Sequence, residues 1–217
     1  MIQADNGNLY GTASYGGVNG YGTAFEITAT NQLSVLHSFD LTDGFSISSP
    51  PIQASDGNLY GTTWAGGAPG YGGTIYEITS AGAFNTLYNF CTTSSNSSCT
   101  GEYPGYTLAQ ATDGTFIGAT TYAGAYNYGT VFSFSNGLSP LVETVPIAAK
   151  PGARVIILGN NLTGSTRITF NGTPATFTVE SDTYITATVP AGATTGTVQV
   201  TTPTGTLNSN PVFQVLQ

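Results

Sequence analysis

The stretch DGNLYGTT at residues 56–63 occurs in three related forms along this chain. NGNLYGTA stands at residues 6–13 and DGTFIGAT at residues 113–120. An Asp-Gly or Asn-Gly pair between two apolar segments tolerates the positive φ angles of a tight hairpin, and the residues that follow it alternate between the two faces of a strand. Each copy therefore predicts one β-hairpin corner.

Three repeat units come into register when Gly7, Gly57 and Gly114 are aligned. Each unit then has an apolar lead-in, the hairpin corner, a glycine-rich loop, an apolar strand and a closing strand, which reads LSVLHSF, FNTLYNF and LSPLVET in turn. The glycine-rich loops give a helix no place to start, and no window combines helical periodicity with convincing caps. The sequence predicts three tandem units of four short strands each.

The sequence pattern changes near Ser139. Beyond this residue tyrosine becomes rare, and segments such as ARVIILG, TRITF, YITATV and GTVQVTT alternate Val, Ile and Thr between polar turns. Short strands at intervals of about ten residues are typical of a β-sandwich. We therefore expect an all-β protein with a repeat domain over residues 1–139 and a β-sandwich over residues 140–217.

The C-terminal part resembles an IPT/TIG domain, which is an immunoglobulin-like module. The resemblance rests on PGARVIILGNNLTGSTRITFNGTPATF at residues 151–177 and on SDTYITATVPAGATTGTVQVTTPTG at residues 181–205. It implies an interaction or spacer module of extracellular and cell-surface proteins, and it implies no active site.

The repeats resemble the bacterial tandem repeat called GloVer, which occurs in exported proteins. DGNLYGTTWAGG at residues 56–67 and GTIYEIT at residues 73–79 carry the resemblance. The first unit departs from the pattern with Asn6 in place of Asp, and the third unit has TFI at residues 115–117 in place of NLY. The resemblance implies a propeller-like blade and an exported protein, without defining an activity.

Charged residues are scarce and unevenly placed. They make up 6% of the 217 residues, the net charge is −8, and the three basic residues, Lys150, Arg154 and Arg167, all lie in the last third. Because phosphate binding draws on Lys and Arg, we expect no nucleic-acid partner. No apolar run approaches the roughly 20 residues of a membrane span, so we expect no membrane insertion. No signal peptide opens the sequence, so either a leader has been removed or the sequence begins inside a longer protein.

Several residues indicate an oxidising compartment. Cys91 and Cys99 flank the polar stretch TTSSNSS, and we predict a disulfide between them; free thiols in a reducing cytoplasm are the alternative, and zinc-type CxxC spacing is absent. Asn96, Asn161 and Asn171 head the sequons NSS, NLT and NGT in predicted loops and are predicted glycosylation sites. With the two resemblances, these features predict a secreted or cell-surface bacterial protein.

No residue pattern indicates a catalytic site. The single histidine, His37, is followed by Ser38 and Asp40, but neighbours on one strand point to opposite faces and cannot form a triad. Recurrence of acids at equivalent repeat positions favours turn and strand roles over a glycosidase carboxylate pair. These acids are Glu26, Asp56, Glu77 and Asp113. We expect no enzyme activity and no cofactor; Ca²⁺ binding is a weaker alternative, since the EF-hand loop pattern is missing.

Aromatic residues are concentrated in the glycine-rich loops. Flat rings beside small residues can stack on sugar rings or anchor a protein interface, whereas packing between blades is the alternative for each residue taken singly. The candidate contact residues are Tyr15, Tyr21, Trp64, Tyr71, Tyr122, Tyr126 and Tyr128. Carbohydrate binding is accordingly one predicted function.

Three units are too few to close a propeller, which takes about four to eight blades, and the open ends of such an array invite pairing with another chain. We therefore predict an extracellular structural or adhesive protein that associates with itself through its repeat edges, as a subunit of an oligomer or surface filament. The alternative is a fragment of a longer propeller whose further blades close the ring.

Overall fold

The computed structural model describes residues 1–67, 71–91, 99 and 101–217. Over these residues the chain is all-β and contains no helix, so the predicted fold class is confirmed. It divides into two compact units, one combining Met1–Gln110 with Phe116–Phe134 and the other combining Ala111–Thr115 with Ser135–Gln217. Among the described residues, none belongs to a helix of the length and apolar character that a membrane crossing requires.

Three antiparallel sheets form the first unit, and we call them blades 1, 2 and 3. Sequence neighbours pair in every sheet, as they do in the blades of a propeller. Blade 1 contains β1 (Ile2–Gln3), β2 (Leu9–Ala13), β3 (Thr23–Ile27) and β4 (Leu33–Ser38). Blade 2 contains β5 (Ile52–Gln53), β6 (Leu59–Thr63), β7 (Thr74–Ile78) and β8 (Phe84–Asn89). Blade 3 contains β9 (Ala109–Gln110), β10 (Phe116–Ala119) and β11 (Val131–Phe134).

Blade 3 has three strands where the sequence pattern predicts four. Part of the expected closing strand, LSPLVET, instead forms β12 (Glu143–Val145), which pairs with β14 (Arg154–Leu158) in the second unit. Val142 is 0% exposed in the core of that unit. In the outer strand of blade 1, by contrast, Leu33 and Val35 are 67% and 57% exposed. The segment joins the second unit because it buries far more apolar surface there than at the rim of a blade.

The repeated phrase forms the same turn in each blade, as predicted. Its first glycine has a positive φ angle of 82° at Gly7, 83° at Gly57 and 90° at Gly114. The side chain before each glycine accepts a hydrogen bond from the backbone N–H two residues further on, which closes the turn locally. These pairs are Asn6 with Asn8 (3.0 Å), Asp56 with Asn58 (3.0 Å) and Asp113 with Thr115 (2.9 Å).

The second glycine of the phrase has a different role. An aromatic ring from the adjacent strand lies directly over its Cα, where a Cβ would overlap with ring atoms. The pairs are Gly11 with Phe25, Gly61 with Tyr76 and Gly118 with Phe132. Glycine at this position therefore lets each blade bury a large ring flat against its own sheet.

Aromatic side chains hold neighbouring blades together. Between blades 1 and 2, the His37 ring stacks on Phe84 with centroids 3.7 Å apart, and Phe39 contacts Tyr76 at 5.3 Å. Rings also join blades 2 and 3, where Tyr60 lies 4.5 Å from Phe116. The core of the first unit thus lies between sheet faces.

The second unit is a β-sandwich. One sheet has the order β12-β14-β18-β17, another has the order β16-β15-β19-β20, and a parallel pair joins β13 to β21. Inward residues of both larger sheets form one buried core that includes Ile157, Ile185, Phe170 and Val200. The remaining strands are β13 (Ala148–Ala149), β15 (Arg167–Phe170), β16 (Thr173–Pro174), β17 (Phe177–Ser181), β18 (Tyr184–Thr188), β19 (Val198–Thr202), β20 (Gly205–Asn208) and β21 (Gln214–Val215). This arrangement is immunoglobulin-like.

Candidate functional site

Two crossing segments carry the chain from the outer strand of one blade towards the first strand of the next. They cover residues 44–48 and residues 101–105. Each forms an isolated antiparallel bridge with the glycine loop of the following blade. The bridges join Phe45 to Ala65 and Glu102 to Tyr122.

The residue after each bridge takes a left-handed backbone conformation. Its φ angle is 57° at Ser46 and 59° at Tyr103. The two crossing segments therefore share a backbone shape at this point while presenting different side chains, a hydroxymethyl group in one and a phenol in the other.

Three aromatic rings meet beside the second crossing segment. Trp64 stacks on Tyr103 with centroids 4.5 Å apart and an interplanar angle of 21°. Tyr122 meets Tyr103 edge-on, at 5.8 Å and 90°. Gly105 makes room for the indole, because a Cβ there would lie 3.3 Å from a Trp64 ring carbon.

Three open depressions adjoin these rings. The first, of about 410 Å³, is lined by Ser14, Tyr15, Gly20, Tyr21, Phe45, Ser46 and Trp64. The second, of about 400 Å³, is lined by Ser46, Ser48, Trp64, Gly105, Tyr106 and Thr121. The third, of about 780 Å³, is lined by Cys99, Glu102, Tyr103, Tyr122, Ala123, Gly124, Ala125 and Asn127. Their sizes fall within the range of about 300–1,000 Å³ that is usual for small-molecule sites.

The three depressions form a connected series. Trp64 and Ser46 line both the first and the second, and the Trp64 ring stacks on Tyr103, which lines the third. We call the rings along this series the aromatic surface: Tyr15, Tyr21, Phe45, Trp64, Tyr103, Tyr106 and Tyr122.

Glu102 supplies the charge at this surface. It is only 8% exposed, yet it lines the third depression. Within the described part of the chain, its carboxylate has no hydrogen-bond partner. Cys91 and Cys99 place their sulfur atoms within 4.8 Å of this carboxylate, but both sulfurs are already joined in a disulfide. Of these three groups, the carboxylate is the strong hydrogen-bond acceptor for a ligand.

The sequence predicted part of the aromatic surface. Tyr15, Tyr21, Trp64 and Tyr122 all line its depressions. The other predicted aromatics, Tyr71, Tyr126 and Tyr128, are 55%, 83% and 91% exposed, and among the described residues they line none of the three depressions. The structure therefore brings Tyr15, Tyr21, Trp64 and Tyr122 together around the depressions. The other three tyrosines lie outside the depressions.

Four residues of the site were not predicted: Phe45, Glu102, Tyr103 and Tyr106. All four lie in or next to the crossing segments. Aligning GFSISSP at residues 44–50 with GEYPGYT at residues 101–107, immediately before the second and third lead-ins, would have indicated them. That alignment shows where equivalent backbone carries unlike side chains.

His37 has a packing role in the structure. Its Nε2 atom lies 2.8 Å from Asp43 Oδ2, and its ring stacks on Phe84. Asp40 instead accepts hydrogen bonds from Thr42, which lower the pKa of the Asp40 carboxyl group.

The recurrent acids are held in hydrogen bonds within the blades. In blade 2, Tyr60 donates to both Asp56 and Glu77, at 2.8 and 2.9 Å. In blade 1, Tyr10 donates to Glu26 at 2.7 Å, and this bond is the main cause of the lowered pKa of Glu26. Asp113 accepts from Thr115, which lowers the pKa of Asp113. These carboxylates act as internal acceptors, and Ca²⁺ binding stays an untested alternative.

The predicted modification sites differ in their surroundings. Asn96 lies outside the described residues. Asn161 and Asn171 are both exposed, but the Asn171 amide donates hydrogen bonds to Thr194 Oγ1 at 2.8 Å and to the Thr195 carbonyl at 3.2 Å. A glycan on Asn171 would have to replace these bonds, so glycosylation of these sequons remains a prediction.

Comparison with known families agrees with the order predicted from the sequence. The Gloeobacter/Verrucomicrobia repeat matches residues 1–173, and the IPT/TIG domain matches residues 140–215. Both predicted resemblances are thereby confirmed. No curated protein is significantly similar to the chain.

One similar solved structure is that of SGBP-B from a complex xyloglucan utilization locus in Bacteroides uniformis. It is 14% identical, with a TM-score of 0.30, and the match covers 82% of this chain and 47% of that protein. The chain thus spans about half the length of this neighbour, and a likeness this distant carries no argument about function.

Proposed function

Because the chain belongs to the Gloeobacter/Verrucomicrobia repeat family and carries an IPT/TIG domain, we propose that it is an extracellular, non-catalytic binding protein that holds neutral carbohydrate on its aromatic surface. The observation that carries this proposal is the Trp64–Tyr103 stack between open depressions, with Tyr106 60% exposed beside it. The Cys91–Cys99 disulfide supports an oxidising, extracellular location.

The chemistry of the surface suits a sugar ring. Sugars present flat C–H faces that pack on aromatic rings, and hydroxyl groups around their edges that need hydrogen-bond partners. Glu102, which is only 8% exposed, offers a carboxylate as an acceptor, and charge-assisted hydrogen bonds are roughly twice as strong as neutral ones. A connected series of depressions fits several consecutive sugar units of a polysaccharide.

Charge favours a neutral ligand over an acidic one. Residues 1–140 contain eight acids and no Lys or Arg. A polysaccharide with uronate or sulfate groups would meet only negative charge there, without a basic partner. We therefore expect discrimination between neutral and acidic polysaccharides.

Binding can be tested by affinity electrophoresis and calorimetry with soluble neutral glucans and mannans, with pectin as the acidic comparison. We expect retardation and heat with a neutral polysaccharide and none with pectin. Trp64→Ala and Tyr106→Ala should each weaken binding at least about tenfold, equivalent to roughly 1.4 kcal/mol.

Tyr71→Ala is the matched control, since Tyr71 is also an exposed aromatic of the Trp64 loop but lies outside the depressions. Glu102→Gln keeps the shape of the side chain but removes its negative charge. It therefore tests the contribution of the charge to binding separately from that of packing. A protein that binds none of the polysaccharides, or one in which Tyr71→Ala is as damaging as Trp64→Ala, would contradict the proposal.

A second function, self-association of the repeat array into an extracellular oligomer or filament, is favoured by a separate observation. The third sheet of the array leaves Ile117 and Val131 37% and 78% exposed, whereas the equivalent residues of the second sheet, Tyr60 and Ile75, are 0% and 1% exposed. This function does not depend on glycan binding, and the two can be tested apart.

A further inference from the structure

Blade 2 shows what a covered blade looks like. One of its faces carries Leu59, Tyr76 and Ile78, which are 6%, 0% and 1% exposed against blade 1. Its other face carries Tyr60 and Ile75, which are 0% and 1% exposed on the side of blade 3. We call the first the leading face of a blade and the second its trailing face.

The leading face of blade 1 is less covered than that of blade 2. Strand register places Leu9 opposite Ile27 and Phe25 opposite Val35, at the positions that Leu59, Ile78, Tyr76 and Thr86 occupy in blade 2. Leu33, next to Ile27, is 67% exposed, whereas its counterpart Phe84 is half-buried; Val35 is 57% exposed, and its counterpart Thr86 is exposed as well. The apolar side chains of Leu9, Phe25, Ile27 and Leu33 are each more exposed than their counterparts in blade 2, and the Met1 side chain lies beside Gly11 on the same face.

The trailing face of blade 3 is open as well. Ile117 and Val131, the counterparts of Tyr60 and Ile75, are 37% and 78% exposed. The neighbouring positions on this face are Ala109, Ala119 and Ser133. It is a small, neutral surface. It corresponds to the trailing face of blade 2, which packs on the leading face of blade 3.

A glutamine in the first strand adds a hydrogen bond to each blade contact. Gln53 Oε1 accepts from the backbone N–H of Asp5 in blade 1, and Gln110 Oε1 accepts from the backbone N–H of Ser55 in blade 2, both at 2.9 Å. Gln3 is the third member of this series and is exposed. Within the described residues, its amide oxygen has no such partner.

We propose that two copies of this chain pack head to tail, with the leading face of blade 1 of each copy on the trailing face of blade 3 of the other, and that Gln3 accepts a backbone hydrogen bond across each contact. This dimer rests on the self-association proposed above. Its contact surfaces are faces of the first and third sheets. Two copies with three blades each supply six blades, within the four to eight of a closed propeller. The twofold arrangement uses both open faces of both copies.

The association is measured by sedimentation velocity and light scattering on the whole chain at micromolar concentration. We expect a dimer of about twice the 22.2 kDa of the chain. Leu33→Asp on the leading face and Val131→Asp on the trailing face should each give monomers, because each change damages both contacts of its own dimer. Gln3→Ala should weaken the dimer roughly tenfold, as expected for two lost hydrogen bonds.

Mixing the two aspartate variants gives the decisive result. One contact of the mixed dimer joins two intact faces, so the equimolar mixture should regain a weaker dimer. Gln32→Asp, an exposed position just before β4, controls for added charge and should stay dimeric, and circular dichroism should show that all variants are folded.

A monomeric wild-type chain would overturn the proposal even if it binds polysaccharide, which separates this failure from that of glycan binding. A dimer that survives Val131→Asp would overturn the head-to-tail contact. Masses that grow beyond the dimer with concentration would overturn closure of the ring.

Discussion

Two completely buried tyrosines in blade 2 should respond in opposite directions to the loss of their hydroxyl groups. Tyr76 is 0% exposed, and within the described residues its hydroxyl has no hydrogen-bond partner. Burial also raises the pKa of this phenol, which keeps it neutral. The equivalent positions in blades 1 and 3 are Phe25 and Phe132, so the site accepts a ring without the hydroxyl.

The expected gain follows from the cost of an unsatisfied buried polar group, about 1–3 kcal/mol. Tyr76→Phe removes that cost and leaves a gap about one atom in size beside Gly61, which costs about 0.3 kcal/mol. The free energy of unfolding of the first unit should therefore rise by about 1–2 kcal/mol. The corresponding increase in Tm is about 3–8 °C.

Tyr60→Phe is the matched control. Tyr60 is equally buried, but its hydroxyl donates to Asp56 and Glu77. Hydrogen bonds to charged groups contribute about 1.5–3 kcal/mol, so this variant should be destabilised by a similar amount. Urea unfolding followed by tyrosine fluorescence, with scanning calorimetry, measures both changes. A Tyr76→Phe protein that loses as much stability as Tyr60→Phe would refute the assignment of an unpaired hydroxyl.

Three further changes test the packing, the covalent link and the electrostatics of the repeat unit. Gly61→Ala should destabilise it by about 1–3 kcal/mol in urea unfolding, because the added methyl overlaps with the neighbouring ring. Reducing the Cys91–Cys99 disulfide should cost about 2.5 kcal/mol in the chain-entropy description, seen as a lower Tm with reductant. Tyr10 lowers the pKa of Glu26 by donating a hydrogen bond to its carboxylate. The stability that this carboxylate contributes is therefore present above the ordinary glutamate pKa of about 4.3. It is lost as the pH falls through the lowered pKa of the folded protein. Calorimetry across the acid range should show a shallower decline for Glu26→Gln than for the wild type.

The turns and strands of the repeats follow from short-range signals, which is why they could be predicted. An Asx-Gly pair needs only its own backbone and side chain to form the turn at Gly7, Gly57 and Gly114. The destination of LSPLVET depends on a competition between two sheets, one in the blade and one in the second unit. The alternation of side chains in LSPLVET is compatible with either sheet. Which sheet the segment joins is therefore decided by the burial of residues such as Val142.

The candidate site was predictable only where single residues indicate it. Trp64 and Tyr122 could be identified because bulky rings in glycine loops are conspicuous. The packing of these two rings depends on Tyr103, which contacts both from the crossing segment between blades 2 and 3. Glu102 lies near the disulfide because it follows Cys99 by three residues, but nothing in its immediate sequence indicates that it is buried.

The repeats themselves separate positions that serve the fold from positions free to carry function. Gly11, Gly61 and Gly118 are identical because each lies under a ring that the blade must bury. Ser46 and Tyr103 share a left-handed backbone conformation, yet their side chains differ. Since glycine or asparagine would satisfy that backbone with less strain, a tyrosine there needs another reason. Stacking on Trp64 at the edge of two depressions supplies one, so binding chemistry should be found where the units share a backbone shape and differ in side chain.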